Sequence, residues 1–214
     1  MIDWAQATPW DGLDLKAVSQ ACQGCQACEL ARTRQQVVVG EGQSPCSLMV
    51  IGEAPGEQED ETGRPFVGKA GQLLDKIFES VGIHRAQDCY ITNVVKCRPP
   101  KNRNPHPDEA LACRGFLIRQ IQLVQPRVLV LLGSVAFKSV LHDDTPIGKC
   151  RGKWRTMSVS YMPEPLYVMP MFHPSYLLRN QSRDVGSPKW LTWQDIKEVQ
   201  TALAYYRASL PASP

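Results

Sequence analysis

Four short stretches of the chain are almost unbroken in apolar residues: SLMVIG (47–52), CYITNVV (89–95), RVLVLLG (127–133) and LYVMPMF (166–172). Their near-continuous apolarity and β-rich composition predict strands covered on both faces. Between them the apolar spacing lengthens to the helical period. Leu73, Leu74, Ile77, Phe78 and Val81 mark one stripe. Leu117, Ile118 and Ile121 mark another, behind a Pro107-Asp108-Glu109 start that suits the positive end of a helix. Ser187 and Pro188 read as the N-cap and first turn of a closing helix carrying Leu191, Ile196, Val199 and Leu203. Strands alternating with helices call for right-handed crossovers. The expected fold is a single α/β domain with a central, mainly parallel, four-stranded twisted sheet flanked by helices. The expected limits are an N-terminal arm over 1–30, the domain over 31–210 and a frayed tail over 211–214.

In such a sheet, ligands bind beyond the carboxyl ends of the strands, where loops converge. GEAPGEQEDETGRPF follows the first strand, Asn93 sits near the end of the second and FHPSYLLRN follows the fourth, so all three share one rim. A net charge of +3 says little alone, but its distribution says more. Lys96, Arg98, Lys101 and Arg103 crowd one rim segment, and Arg179, Arg183 and Lys189 crowd another. Charge gathered on the ligand-binding rim argues for an anionic partner over merely solvated loops. The run VLVLLGSVAF is too short for the ~20 residues that cross a bilayer, so no membrane partner is expected. The start MIDWAQATPW has no basic region followed by an apolar stretch, which favours a cytoplasmic protein. In that reducing setting, clustered thiols serve metals better than disulfides.

Residues 22–28 read CQGCQAC, so two overlapping C-x-x-C pairs share the middle thiol. A closed site needs about four ligands, so others must come from elsewhere in the chain. Cys97 lies just past the second strand and Cys113 on the next helix; with Cys25 and Cys28 they give C-x2-C followed by C-x15-C. Such a quartet suits zinc or an iron-sulfur cluster, and spacing does not choose between them. Cys22 could replace Cys28 as the partner of Cys25. Cys46, Cys89 and Cys150 read as isolated thiols of the buried, apolar kind.

Through GEAPGEQEDETGRPFVGKAGQLL, YITNVVKCRPP, PMFHPSYLLRN and GSPKWLTWQDI, in that order, the chain closely resembles the type-4, iron-sulfur uracil-DNA glycosylases of bacteria and archaea. The resemblance implies a [4Fe-4S] cluster on Cys25, Cys28, Cys97 and Cys113, with Cys22 a bystander. It implies a base excision repair enzyme, a monomer acting on single- or double-stranded uracil-containing DNA. That enzyme flips out uracil and hydrolyses its N-glycosidic bond, leaving an abasic site and free uracil. Carried over residue by residue, Gly52, Glu53 and Ala54 lie on the loop against the base and Phe66 stacks on it. Asn93 reads uracil N3-H and O4, Glu53 organises the attacking water and His173 stands near O2. Lys96, Arg98 and Arg179 are expected to meet DNA phosphates, while Leu177 and Leu178 form a wedge. Glu59 is expected in the pocket wall or a gate. Two departures stand out: the extra thiol of Cys22, and a longer stretch SVSYMPEPLYV before the fourth strand.

Two rivals differ in chemistry. Some relatives trap uracil-DNA covalently, but they carry a basic, histidine-containing insertion between the third and fourth cluster cysteines. Here only fifteen residues separate Cys97 from Cys113, with His106 the lone histidine. The other rival is a four-cysteine zinc protein acting on a different nucleotide.

Overall fold

The computed structural model describes residues 7–159 and 164–209. The sheet holds β1 (Glu41–Gly42), β2 (Leu48–Gly52), β3 (Cys89–Asn93), β4 (Val128–Leu132), β5 (Arg155–Met157) and β6 (Leu166–Met171) in the spatial order β1-β3-β2-β4-β6-β5. The four apolar runs form the central parallel strands β3, β2, β4 and β6, in register from Leu48 opposite Cys89 and Val128 to Leu132 opposite Met171. The expectation of four strands is corrected to six. β1 and β5 pair antiparallel on the outer edges. They are two and three residues long, so neither shows the period-2 pattern that marks a strand in sequence. Part of the long stretch before β6, residues 160–163, lies outside the described residues, as does the tail 211–214.

Helices α1 (Leu15–Gln23), α2 (Glu57–Thr62), α3 (Lys69–Glu79), α4 (Arg85–Asp88), α5 (Pro107–Val124), α6 (Gly133–Leu141), α7 (Ile147–Cys150), α8 (Pro174–Arg179) and α9 (Pro188–Ser209) connect and cover the sheet. Strand side chains alternate between two cores. Met49, Ile51, Leu129, Leu131 and Val168 pack with Phe116 and Ile121 of α5 and Phe137 of α6. Leu48, Val50, Val128, Val130 and Met169 pack with Leu74 and Phe78 of α3 and Ile196, Val199 and Leu203 of α9. The expected start signals are both used: Glu109 accepts from His106 N at 2.7 Å, and Ser187 Oγ accepts from Trp190 N. The described part of the N-terminal arm packs on the domain, since Trp10 stacks on Phe116 at 4.5 Å and Val18 and Cys22 of α1 join the first core.

From β3 the chain crosses over β2 to lay down β4 on its other side. That reversal leaves a crevice beyond the carboxyl ends of β2 and β4, where neighbouring loops diverge.

Candidate active site and cysteine-lined cavity

The crevice is a cavity of about 700 Å³. Its wall takes Glu53 and Ala54 from the loop after β2, Phe66 from the loop before α3, Asn93 from the end of β3, and His173 and Arg179 from α8 and its cap. Four segments of the chain thus deliver the expected residues to one place. Gly52 lies beneath them. A Cβ there would stand 2.4 Å from Asn93 Oδ1 and 2.5 Å from Phe66 Cζ, so only glycine lets carboxamide and ring sit together.

The Phe66 loop is held under strain. Phe66 has φ 51°, a left-handed conformation that bulky side chains rarely adopt and that surrounding contacts must impose. Those contacts are present. Arg85 donates to the carbonyls of Phe66, at 2.6 Å, and of Pro65. Glu59 accepts from Val67 N and Gly68 N at 2.8 Å each and from Gly56 N at 3.1 Å. Glu59 therefore stands in the cavity wall as a clamp that ties the loop after β2 to the loop carrying Phe66.

Asn93 is 1% exposed, and its Oδ1 has no hydrogen-bond partner. Buried acceptors are nearly always satisfied, so an orphan facing a cavity marks a place for a donor that arrives with a ligand. The backbone around it is fixed by Val94 N donating to Gly52 O at 2.9 Å and Val95 N to Glu53 O at 3.2 Å. Burial pushes the Glu53 carboxyl above the usual carboxylate range. His173 caps α8: its Nδ1 accepts from Ser175 N at 3.1 Å and lies 2.8 Å from Ser175 Oγ. An accepting Nδ1 leaves the ring proton on Nε2. Burial brings the imidazole down to about 4, so it is neutral at physiological pH.

The expected DNA contacts divide. Arg179 is exposed at the cavity edge and Leu178 is half-buried. Leu177 is corrected: at 1% exposure it packs beneath α8 and is not free to wedge into DNA. Lys96 is corrected as well. It is 1% exposed because the chain beyond Asn93 turns its side chain inward, where Nζ donates to Thr92 Oγ1 at 2.8 Å and to Asn93 O at 2.6 Å. Arg98 reaches the rim but already engages Glu57 at 3.1 Å and Asn102 at 2.8 Å. Asn102, Asn104, Ser134 and Tyr176 also line the cavity and escaped sequence reasoning. For Ser134 a signal existed, because the residues after the third parallel strand must reach the same rim as the others.

Cys25, Cys28, Cys97 and Cys113 line one small cavity on the other side of the β3 exit, together with Cys22 of α1. None of the eight cysteines forms a disulfide. Among the described residues no three Cys, His, Asp or Glu side chains close round one point as ligands of a single ion do. The thiols share the wall of this cavity with Ala27, Ala31, Val37 and Phe116. A donor answers one of the sulfurs: Arg34 donates to Cys97 Sγ at 3.3 Å. Four cysteine thiols with a partly apolar lining and a donor to one sulfur are a donor set that fits a thiolate-held iron-sulfur cluster.

Residues 39–197 match the family model of the uracil DNA glycosylase superfamily, and the chain belongs to that superfamily. It is 43% identical over 188 residues to a type-4 uracil-DNA glycosylase of Thermotoga maritima, covering 87% of this chain and 93% of that protein. A type-4 uracil-DNA glycosylase of Saccharolobus solfataricus is 44% identical over 176 residues, 79% of each chain. A type-5 uracil-DNA glycosylase of Pyrobaculum aerophilum matches only 108 residues at 36% identity, 44% of this chain and 47% of that protein. Within the superfamily, the chain is a member of the type-4 family.

Proposed function

We propose that the rim cavity receives a uracil flipped out of DNA and is where the chain, as a uracil-DNA glycosylase of base excision repair, hydrolyses the N-glycosidic bond. The products are an abasic site and free uracil. The observation that carries this reading is the orphaned Oδ1 of Asn93. It supplies the acceptor that uracil N3-H requires while Nδ2 donates to O4. Cytosine presents an acceptor and a donor in the reverse places and leaves the buried amide mispaired.

The remaining groups follow the charge that develops. Flipping costs a few kcal/mol, and stacking on Phe66 contributes about 1–3 kcal/mol in return. As the bond stretches, the sugar gains positive charge and the base negative charge. The Glu53 carboxylate favours the first and orients the attacking water; the Nε2-H of His173, a neutral donor, stabilises the second at O2. Backbone amides of Gly52 and Ala54 approach the base, Arg179 holds a phosphate and Leu178 is the side chain left to fill the vacated stack. Arg98 meets a phosphate by giving up Glu57. Cys25 and Cys28 just beyond α1, Cys97 beyond the β3 exit and Cys113 of α5 would hold a [4Fe-4S] cluster, which would tie these segments together. Held there, these residues would brace the loop of residues 97–103. A monomer in the cytoplasm, close to the chromosome, suits this work. Among the described residues no helix is long and apolar enough to cross a membrane.

The test is incubation with a single-uracil oligonucleotide followed by alkali, with a cytosine control. Strand cleavage at uracil alone is expected. A denaturant-resistant protein-DNA adduct without turnover replaces hydrolysis by trapping.

A further inference from the structure

Lys96 stands at the junction of the two cavities, and the chemistry above makes no use of it. Its side chain is 1% exposed, yet no hydrophobic residue fills the space. Replacing a buried charge by a well-packed apolar side chain is often neutral or stabilising, so packing alone does not account for an ammonium here. Its contacts run in two directions. Lys96 itself lines the cysteine cavity together with Cys22, Cys97 and Cys113, and Cys97 is the next residue. Toward the other cavity, Nζ donates to the Asn93 carbonyl at 2.6 Å and to Thr92 Oγ1 at 2.8 Å. Thr92 is in turn tied to Val39 O at 2.8 Å.

Asn93 needs such a hold. Its Oδ1 has nothing in the protein to aim it, so the direction of the carboxamide depends on the backbone that bears it. On one side that backbone is set by the ladder to Gly52; on the other it is set by Lys96.

We infer that Lys96 is a positioning residue for base recognition, transmitting the geometry of the cysteine-lined cavity to Asn93 by holding its peptide carbonyl. This rests on the reading of Asn93 as the group that grips uracil. It also gives the cysteine site a task in a reaction that moves no electron: fixing the aim of the recognition amide.

The decisive variant is Lys96→Met, which keeps the length and removes the donor. Iron per chain and affinity for abasic-site DNA should stay parental, while inhibition by free uracil weakens about tenfold, the scale of one lost charged hydrogen bond. In an Asn93→Ala background the same change should add nothing, because coupled residues do not add. A structural role alone would lower the melting temperature and leave uracil inhibition untouched. An iron-loaded Lys96→Met protein with parental uracil inhibition overturns the inference. If that variant does not fold or load iron, Thr92→Val decides: a weakening of about threefold supports the link, and parental inhibition overturns it. Asn93→Ala alone separates the two readings. If it is inhibited by uracil like the parent, the recognition role of Asn93 fails; if it is not, a failure of Lys96→Met belongs to Lys96.

Discussion

The two cavities flank the exit of one strand, with Asn93 and Cys97 four residues apart, and they are built on opposite rules. The rim cavity is roomy, walled by loops, and keeps one buried acceptor unanswered and one aromatic residue in a strained backbone. The cysteine cavity is small and walled mainly by thiols and apolar side chains, with Lys96 beside it and Arg34 donating to the sulfur of Cys97. The difference teaches where selectivity is kept. A group left unsatisfied at a fixed place discriminates between ligands, whereas groups satisfied from all sides fix the place.

The sharpest way to break that division is to open the cysteine side. Cys113→Ser should lose iron, with the absorption near 400 nm, and lower the melting temperature by about 10 °C, since metal binding is folding energy. Uracil binding should fall with it; an iron-free, stable variant that binds uracil normally would show the two cavities to be independent. Next in size, Asn93→Asp leaves the rim shape intact but removes the donor to O4. The preference for uracil over cytosine in matched oligonucleotides should drop by on the order of 10³. His173→Ala should slow single-turnover excision about 10²-fold with little change in abasic-site binding. A parental rate would withdraw the O2 donor.

The pH profile separates Glu53 from His173. Burial lowers His173 to about 4, so it is uncharged throughout the range from pH 5 to 8 and should produce no inflection near its ordinary 6.5. Burial raises Glu53, and its ionised form is the active one, so the rate should fall with acid through a pKa above the usual carboxylate value. Glu53→Gln should abolish that limb and His173→Asn should leave it in place. The smallest effect belongs to the exposed edge. Arg179→Ala should weaken binding evenly across sequences and reduce the salt slope by about 1.

How far the chain could be read before its structure was seen follows the same division. The parallel strands were legible because β2, β3 and β4 are buried along their lengths and β6 at all but Tyr167, which leaves apolar runs with few interruptions. The rim was legible from strand order, as parallel strands must end on one side. Lys96 and Leu177 misled because charge and apolarity report what a side chain prefers, not which way the backbone turns it. At Lys96 a buried network of Thr92 and the Asn93 carbonyl outbids solvent. The role of Glu59 was hidden for a related reason: its partners are backbone N-H groups eight and nine residues away, and backbone donors leave no mark in a sequence.

The edges of the sheet carry a consequence for handling the protein. β1 offers two residues of backbone, and its Glu41 is already gripped by Arg64 and Arg85; β5 offers three. An incoming strand finds too short a template on either flank to anneal. Concentrated stocks should therefore resist fibril growth by sheet extension, and whatever self-association they show should proceed through side chains.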